Sequence, residues 1–217
     1  MPDFATSRRQ MVDTQLRTND VTDHGILDAF GAVPREAFVP DRLKPLAYID
    51  EHIEVAPGRF VTQPHPLGKL IQLGEPRKTD KALVVGAATG YATALLADLV
   101  RSVVALEEDT ALAAEATATL GRLAIDNAEV ATGALAAGWP AGAPYDLILI
   151  DGSVELIPDA LVAQLADRGR LVTVVGRSLA GRATIMTRSG ADVGTRTAFN
   201  CNVKPLPGFA RPKEFVF

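Results

Sequence analysis

Ala82-Leu83-Val84-Val85 is an uninterrupted apolar run that breaks at Gly86-Ala87-Ala88-Thr89-Gly90 and leads into the helix-patterned stretch Tyr91 to Leu99. A run this short and this apolar is what a strand buried on both faces of a parallel sheet requires. The glycines that follow let the backbone turn sharply into the next element. A strand, a glycine turn and a helix in succession point to an α/β plan. The alternation continues along the chain. The pattern predicts strands at Ser102 to Leu106, around Val130, at Leu147 to Ile150 and at Leu171 to Val175. Helices are predicted over Asp109 to Leu123 and around Pro158 to Leu165. Ala183 to Thr187 and Val193 to Phe199 flank the turn-rich tetrad Ser189-Gly190-Ala191-Asp192, so the region is expected to end in a β-hairpin.

The expected fold class is therefore α/β. It is a Rossmann-like doubly wound sheet with right-handed crossovers, mostly parallel, closing in a C-terminal antiparallel hairpin. The first 75 residues read differently. Met11, Val12, Gln15 and Leu16 suggest one short amphipathic helix; a second starts at a Thr22 or Asp23 cap and buries Ile26, Leu27 and Phe30. Pro34 ends it, because proline disfavours helix in the residue before it and donates no backbone hydrogen bond. Pro34, Pro40, Pro45, Pro57, Pro64 and Pro66 predict turns and short pieces, with a further helix over Leu67 to Leu73. The expected organisation is an N-terminal helical extension, 1–75, and a sheet domain, 76–217. A length of 217 residues accommodates one domain with such an appendage.

Charge and composition narrow the partners. The net charge of -4 argues against general nucleic-acid or anionic-membrane binding, which needs a basic excess. Cys201 is the lone cysteine, so neither a disulfide framework nor a cysteine-based zinc site is expected. His24, His52 and His65 are scattered without metal-ligand spacing, and no metal is inferred. With no run of about 18 apolar residues and no basic-then-apolar start, the reading is a soluble protein of a reducing compartment, the cytoplasm.

The turn after the first apolar strand is where a doubly wound sheet binds ligands. A dinucleotide fingerprint places glycines at relative positions 1, 3 and 6, which here are Gly86, Ala88 and Tyr91. Two of the three fail. Gly86 and Gly90 fit a one-three-five glycine spacing instead, with Ala88 the exception, and this favours a nucleoside-type cofactor held without a pyrophosphate. Glu107 ends the second strand, where an acid can accept both hydroxyls of a ribose; Glu108 is its neighbour and an equal candidate. The competing reading is an acidic helix start, Glu107-Glu108-Asp109, favourably placed against the helix dipole. Asp151, after the Leu147 to Ile150 strand, either meets a ligand or caps the turn with Gly152-Ser153.

Several segments carry a family resemblance. Gln10-Met11-Val12-Asp13-Thr14-Gln15-Leu16, Val33-Pro34-Arg35-Glu36-Ala37-Phe38-Val39-Pro40 and Gly58-Arg59-Phe60-Val61-Thr62-Gln63-Pro64-His65 resemble the N-terminal segments of protein-L-isoaspartate O-methyltransferases. Gly86 to Tyr91 is similar to that family's cofactor loop. Gly138-Trp139-Pro140 to Tyr145-Asp146 is similar to the stretch before its fourth strand. The resemblance runs from about residue 8 to about residue 190.

It implies a class I methyltransferase fold, S-adenosylmethionine as cofactor, and methyl transfer to the α-carboxyl group of isoaspartyl residues in damaged proteins, a repair reaction. By resemblance, Thr62 takes the place of a serine lining the reacting centre, and Gln63, Pro64 and His65 shape the substrate mouth. Gly86, Ala88, Gly90, Glu107, Glu108, Gly133, Ala134 and Asp151 fall on or beside the cofactor. Three positions depart from the family pattern: Val84 and Ala134 stand where it has acids, and Ala88 where it has glycine. Losing two charge-assisted hydrogen bonds without compensation weakens cofactor binding by about 100- to 10,000-fold. Glu108 and Asp151 are the candidate replacements. The alternatives are a family member that binds or regulates without turnover, motivated by these departures, and a methyltransferase with another substrate, motivated by Asp151-Gly152-Ser153. The aromatics Phe209, Phe215 and Phe217 are expected to pack on the sheet, and the oligomeric state stays open.

Overall fold

The computed structural model describes residues 3–176 and 180–211. Asp3 opens α1 (Phe4–Met11) by accepting the Thr6 amide at 3.1 Å, and the chain continues as a π-helical turn over Val12–Leu16 that turns Val12 and Leu16 inward. Asp23 caps α2 (His24–Ala32), accepting from the Ile26 amide, and Ile26, Leu27, Ala29 and Phe30 are its buried face. Val33 is already extended, as the residue before a proline is biased to be. Short 3-10 turns follow at Arg35–Phe38 and Asp41–Leu46, then the hairpin of β1 (Ile53–Ala56) and β2 (Arg59–Val61). Helix α3 (Pro64–Gly74) starts on a proline at its first position, where no amide is needed.

Among the described residues one seven-stranded sheet follows. Its strands are β3 (Lys81–Val85), β4 (Ser102–Glu107), β5 (Ala128–Thr132), β6 (Tyr145–Val154), β7 (Leu165–Val175), β8 (Arg182–Ser189) and β9 (Asp192–Asn200). The spatial order is β5-β4-β3-β6-β7-β8-β9, with parallel pairing as far as β7 and antiparallel pairing for β7–β8 and β8–β9. Helices α4 (Tyr91–Ala97), α5 (Thr110–Arg122) and α6 (Asp159–Val162) make the crossovers. The expected doubly wound sheet with a terminal hairpin is thus the observed one, and the N-terminal extension is helical as expected.

Two local expectations are corrected. The helix around Pro158 to Leu165 is a single turn, because Leu165 already pairs with Tyr145 and opens β7. Strand β6 does not stop at Ile150: through a register irregularity it runs to Val154, so Asp151, Gly152 and Ser153 belong to a strand rather than a loop.

The core lies on both faces of the sheet. One cluster joins Phe30, Phe38 and Leu67 of the N-terminal segments to Tyr91, Val84 and Leu149, with the Phe38 and Tyr91 rings 5.5 Å apart. The other holds Leu83, Val85, Leu106, Ile148 and Ile150 together with Leu206 and Phe209. After β9 the chain therefore returns to the sheet. Pro205 forms a parallel bridge with Ser153; the Ser153 amide donates to the Lys204 carbonyl and the Leu206 amide to the Ser153 carbonyl, each at 2.9 Å. Phe209 packs as expected, while Phe215 and Phe217 lie outside the described residues.

Candidate active site

Strand order reverses between β3 and β6: from β3 the chain moves out through β4 and β5, and from β6 it moves the other way. The crevice at the carboxyl ends of these two strands is the ligand position of such sheets. Gly86 and Gly90 border it with φ of +82° and +98°, a region side chains rarely adopt, and Ala88 sits between them at +48°. The amides of Gly86 and Ala87 donate to the Leu106 carbonyl, and the Thr89 hydroxyl donates to the Phe38 carbonyl at 2.6 Å. The turn is thereby tied both to the end of β4 and to the N-terminal extension.

Glu107, at the end of β4, is fully buried and fully engaged. Arg59 from β2 grips it with both terminal guanidinium nitrogens, Nη2 to Oε2 at 2.6 Å and Nη1 to Oε1. The Ala88 amide donates to Oε2 at 2.8 Å, and the Glu108 and Asp109 amides donate to Oε1 at 3.0 Å. A carboxylate has about four lone-pair directions, so these donors saturate it. Sequence reasoning gave Arg59 no role. A buried glutamate demands a cation or a set of donors, but nothing in the sequence says which arginine answers it.

Across the crevice the Thr62 hydroxyl donates to Asp151 Oδ1 at 2.7 Å, both residues being buried. Burial pushes the Asp151 carboxyl up to about 6, against the opposing pull of the Thr62 hydrogen bond and of the Arg59 and Arg35 charges. Arg35 is wholly buried and supports Thr62 from behind, donating from Nη1 to the Thr62 carbonyl at 2.8 Å. The Gln63 amide donates to His52 Nδ1, and the Gln63 side chain reaches the Asp50 carbonyl; Pro64 starts α3, and His65 Nδ1 is 3.2 Å from Asp50. Burial lowers His52 to about 4.

The remaining sequence candidates are more dispersed. The Gly133 amide donates to the Glu107 carbonyl, which puts Gly133 and exposed Ala134 at the sheet edge beyond Glu107. Glu108 is exposed, Asp151 accepts one hydrogen bond from Thr62, and Val84 is fully buried in the apolar core. The structure thus brings Thr62, Gly86 and Asp151 to one small cavity, together with Arg59 and Leu206.

The strand order, the terminal hairpin and the glycine turn at the switch point define a class I methyltransferase fold. Comparison with known proteins makes this specific. The protein-L-isoaspartate(D-aspartate) O-methyltransferase family matches residues 6–206. The chain is 42% identical over 192 residues to a protein-L-isoaspartate O-methyltransferase of Methylorubrum extorquens, covering 88% of this chain and 84% of the relative. It is 37% identical over 206 residues to that of Koribacter versatilis, covering 94% and 92%. A solved protein-L-isoaspartate O-methyltransferase superposes with a TM-score of 0.80 at 22% identity, over 92% of this chain and 66% of the other. The Plasmodium falciparum beta-aspartate methyltransferase, in complex with S-adenosyl-L-homocysteine, does so at 0.75 and 18% identity, over 92% and 97%. The chain belongs to the protein-L-isoaspartate O-methyltransferase family, whose cofactor is S-adenosylmethionine.

The small cavity at the switch point does not admit the cofactor in this conformation. The cavity bounded by Arg59, Thr62, Gly86, Asp151 and Leu206 has about 10 Å³. That is room for about one water, where a ligand of this size occupies several hundred Å³. Glu107 also has no free lone pair left for a ribose hydroxyl.

Proposed function

We propose that the chain carries its family's activity, S-adenosylmethionine-dependent methyl transfer to the α-carboxyl of isoaspartyl residues in damaged proteins. One observation carries this reading: Thr62, from the substrate-side segment, and Gly86, from the cofactor turn, line the same small cavity at the switch point although 24 residues apart in sequence. In this reading residues 1–75 supply the substrate side and 76–217 the cofactor side. Thr62 lines the reacting centre, and Gln63, Pro64 and His65 shape its mouth. Gly86, Ala88, Gly90, Glu107, Glu108, Gly133, Ala134 and Asp151 border the cofactor.

A protein partner is supported by an open groove of about 540 Å³ beside His52, where Leu46 and Ile49 are large exposed apolar side chains. A groove of mixed polar and apolar lining takes the flanks of a peptide, and the net charge of -4 disfavours nucleic acid and anionic membranes. Among the described residues no helix is long and apolar enough to cross a membrane. A cytoplasmic location agrees with these features. The test is incubation with labelled S-adenosylmethionine and an isoaspartyl peptide. Methyl ester above the enzyme-free control supports the reading, and its absence at saturating cofactor overturns it.

A second reading, a family member that binds without turnover, is favoured by the apolar residues at Val84 and Ala134 and by the saturation of Glu107. The same assay separates the two.

A further inference from the structure

Two separate parts of the chain converge on the switch-point crevice. From the C-terminal side, Leu206 lies over both of its glycine edges: a Cβ built on Gly86 would fall 2.6 Å from Leu206 Cδ1, and one on Gly152 would fall 2.9 Å from Leu206 Cβ. Its segment is held by the paired backbone bonds of Ser153 with Lys204 and Leu206, and the Lys204 ammonium sits 5.5 Å from the Phe60 ring centre. From the N-terminal side, β2 delivers Arg59 onto Glu107. A guanidinium fork presents two parallel N–H donors to a carboxylate, the same donor pair that a vicinal diol presents. Arg59 therefore satisfies Glu107 in the way the two ribose hydroxyls of a nucleoside would. Neither Arg59 nor Leu206 belongs to the seven-stranded ladder, so displacing them leaves the pairing between its strands intact and breaks the bonds of Ser153 to Lys204 and Leu206.

We propose that Arg59 and Leu206 form an internal closure of the cofactor site. The chain rests shut, and an S-adenosyl cofactor enters when Arg59 releases Glu107 and the 204–206 segment lifts from Gly86. The proposal rests on the functional reading above for the identity of the cofactor. A site that is open in roughly 0.1–10% of molecules binds its ligand about 10- to 1,000-fold more weakly than the same site held open.

The test is calorimetric titration of S-adenosyl-L-homocysteine into the full-length wild type, Arg59→Ala and Leu206→Ala, with folding verified by circular dichroism. At least a roughly tenfold gain in affinity in either folded variant supports the closure. No gain in either, whether or not the wild type binds, overturns it. Should Arg59→Ala not fold, Leu206→Ala carries the test alone, since it leaves the Arg59–Glu107 pair in place. A variant that gains affinity but esterifies no isoaspartyl peptide leaves the closure standing and removes the proposed substrate. A wild type that esterifies the peptide, with variants of unchanged affinity, does the reverse.

Discussion

Arg59 and Glu107 meet as a two-pronged ion pair whose side chains are 6% and 0% exposed, bridging the β1–β2 hairpin to the end of β4. Removing two charges from water is costly, and such a pair holds only if both partners stay satisfied. Arg59→Met alone leaves Glu107 charged and short of a cation, and is expected to cost about 3–5 kcal/mol in urea denaturation. The double variant with Glu107→Gln is expected to recover at least about 1 kcal/mol of that loss. Simple additivity of the two single changes would contradict the pairing.

Asp151 gives the fold a pH dependence of definite sign. Its carboxyl titrates near 6 in the folded chain, against 3.8 as the ordinary value, with burial as the leading cause. The folded state therefore holds more protons than the unfolded one between pH 4 and 6, and stability falls as pH rises through that window. The full difference is worth about 3 kcal/mol above pH 6. Asp151→Asn is expected to be more stable than wild type at pH 8, with the advantage gone below pH 4. Parallel denaturation curves at the two pH values measure this, and a pH-independent difference would speak against the raised carboxyl.

Thr62 holds that carboxyl down through a single hydrogen bond. Thr62→Val removes the donor while keeping the shape, so Asp151 is expected to titrate higher still, and stability at pH 8 to fall by about 1–3 kcal/mol. Thr62→Ser is expected to restore both. The carbon-13 shift of the Asp151 carboxyl, followed through a pH titration, is the readout. An unchanged midpoint in the valine variant would disprove the contact.

Gly86 is required twice, for its φ of +82° and for the space that Leu206 occupies. Gly86→Ala combines left-handed strain with overpacking and is expected to cost about 2–4 kcal/mol. The overpacking part is expected to return in the double variant with Leu206→Ala. If the two changes are as costly together as separately, Leu206 does not rest on Gly86.

Much of the architecture could be read from local pattern. The run Ala82 to Val85, the glycine turn and the Gly190-Ala191 hairpin each write their conformation in a few neighbouring residues. Asp151-Gly152-Ser153 misled because turn-forming residue types dominate it; pairing with β7 and with Pro205 overrides that preference and keeps it a strand. Arg59 was invisible for another reason. Its partner is 48 residues away, and only the packing of the β1–β2 hairpin against the end of β4 brings them together. Leu206 likewise acquires its place from the return of the chain after β9, which no local pattern announces.

A crystal structure of the wild type grown with millimolar S-adenosyl-L-homocysteine is the most direct check on the closed site. It is expected to show the ribose hydroxyls on Glu107, Arg59 turned away from that carboxylate, and Leu206 lifted from Gly86. Ligand bound at the switch point beside an intact Arg59–Glu107 pair and an unmoved Leu206 would contradict the closure.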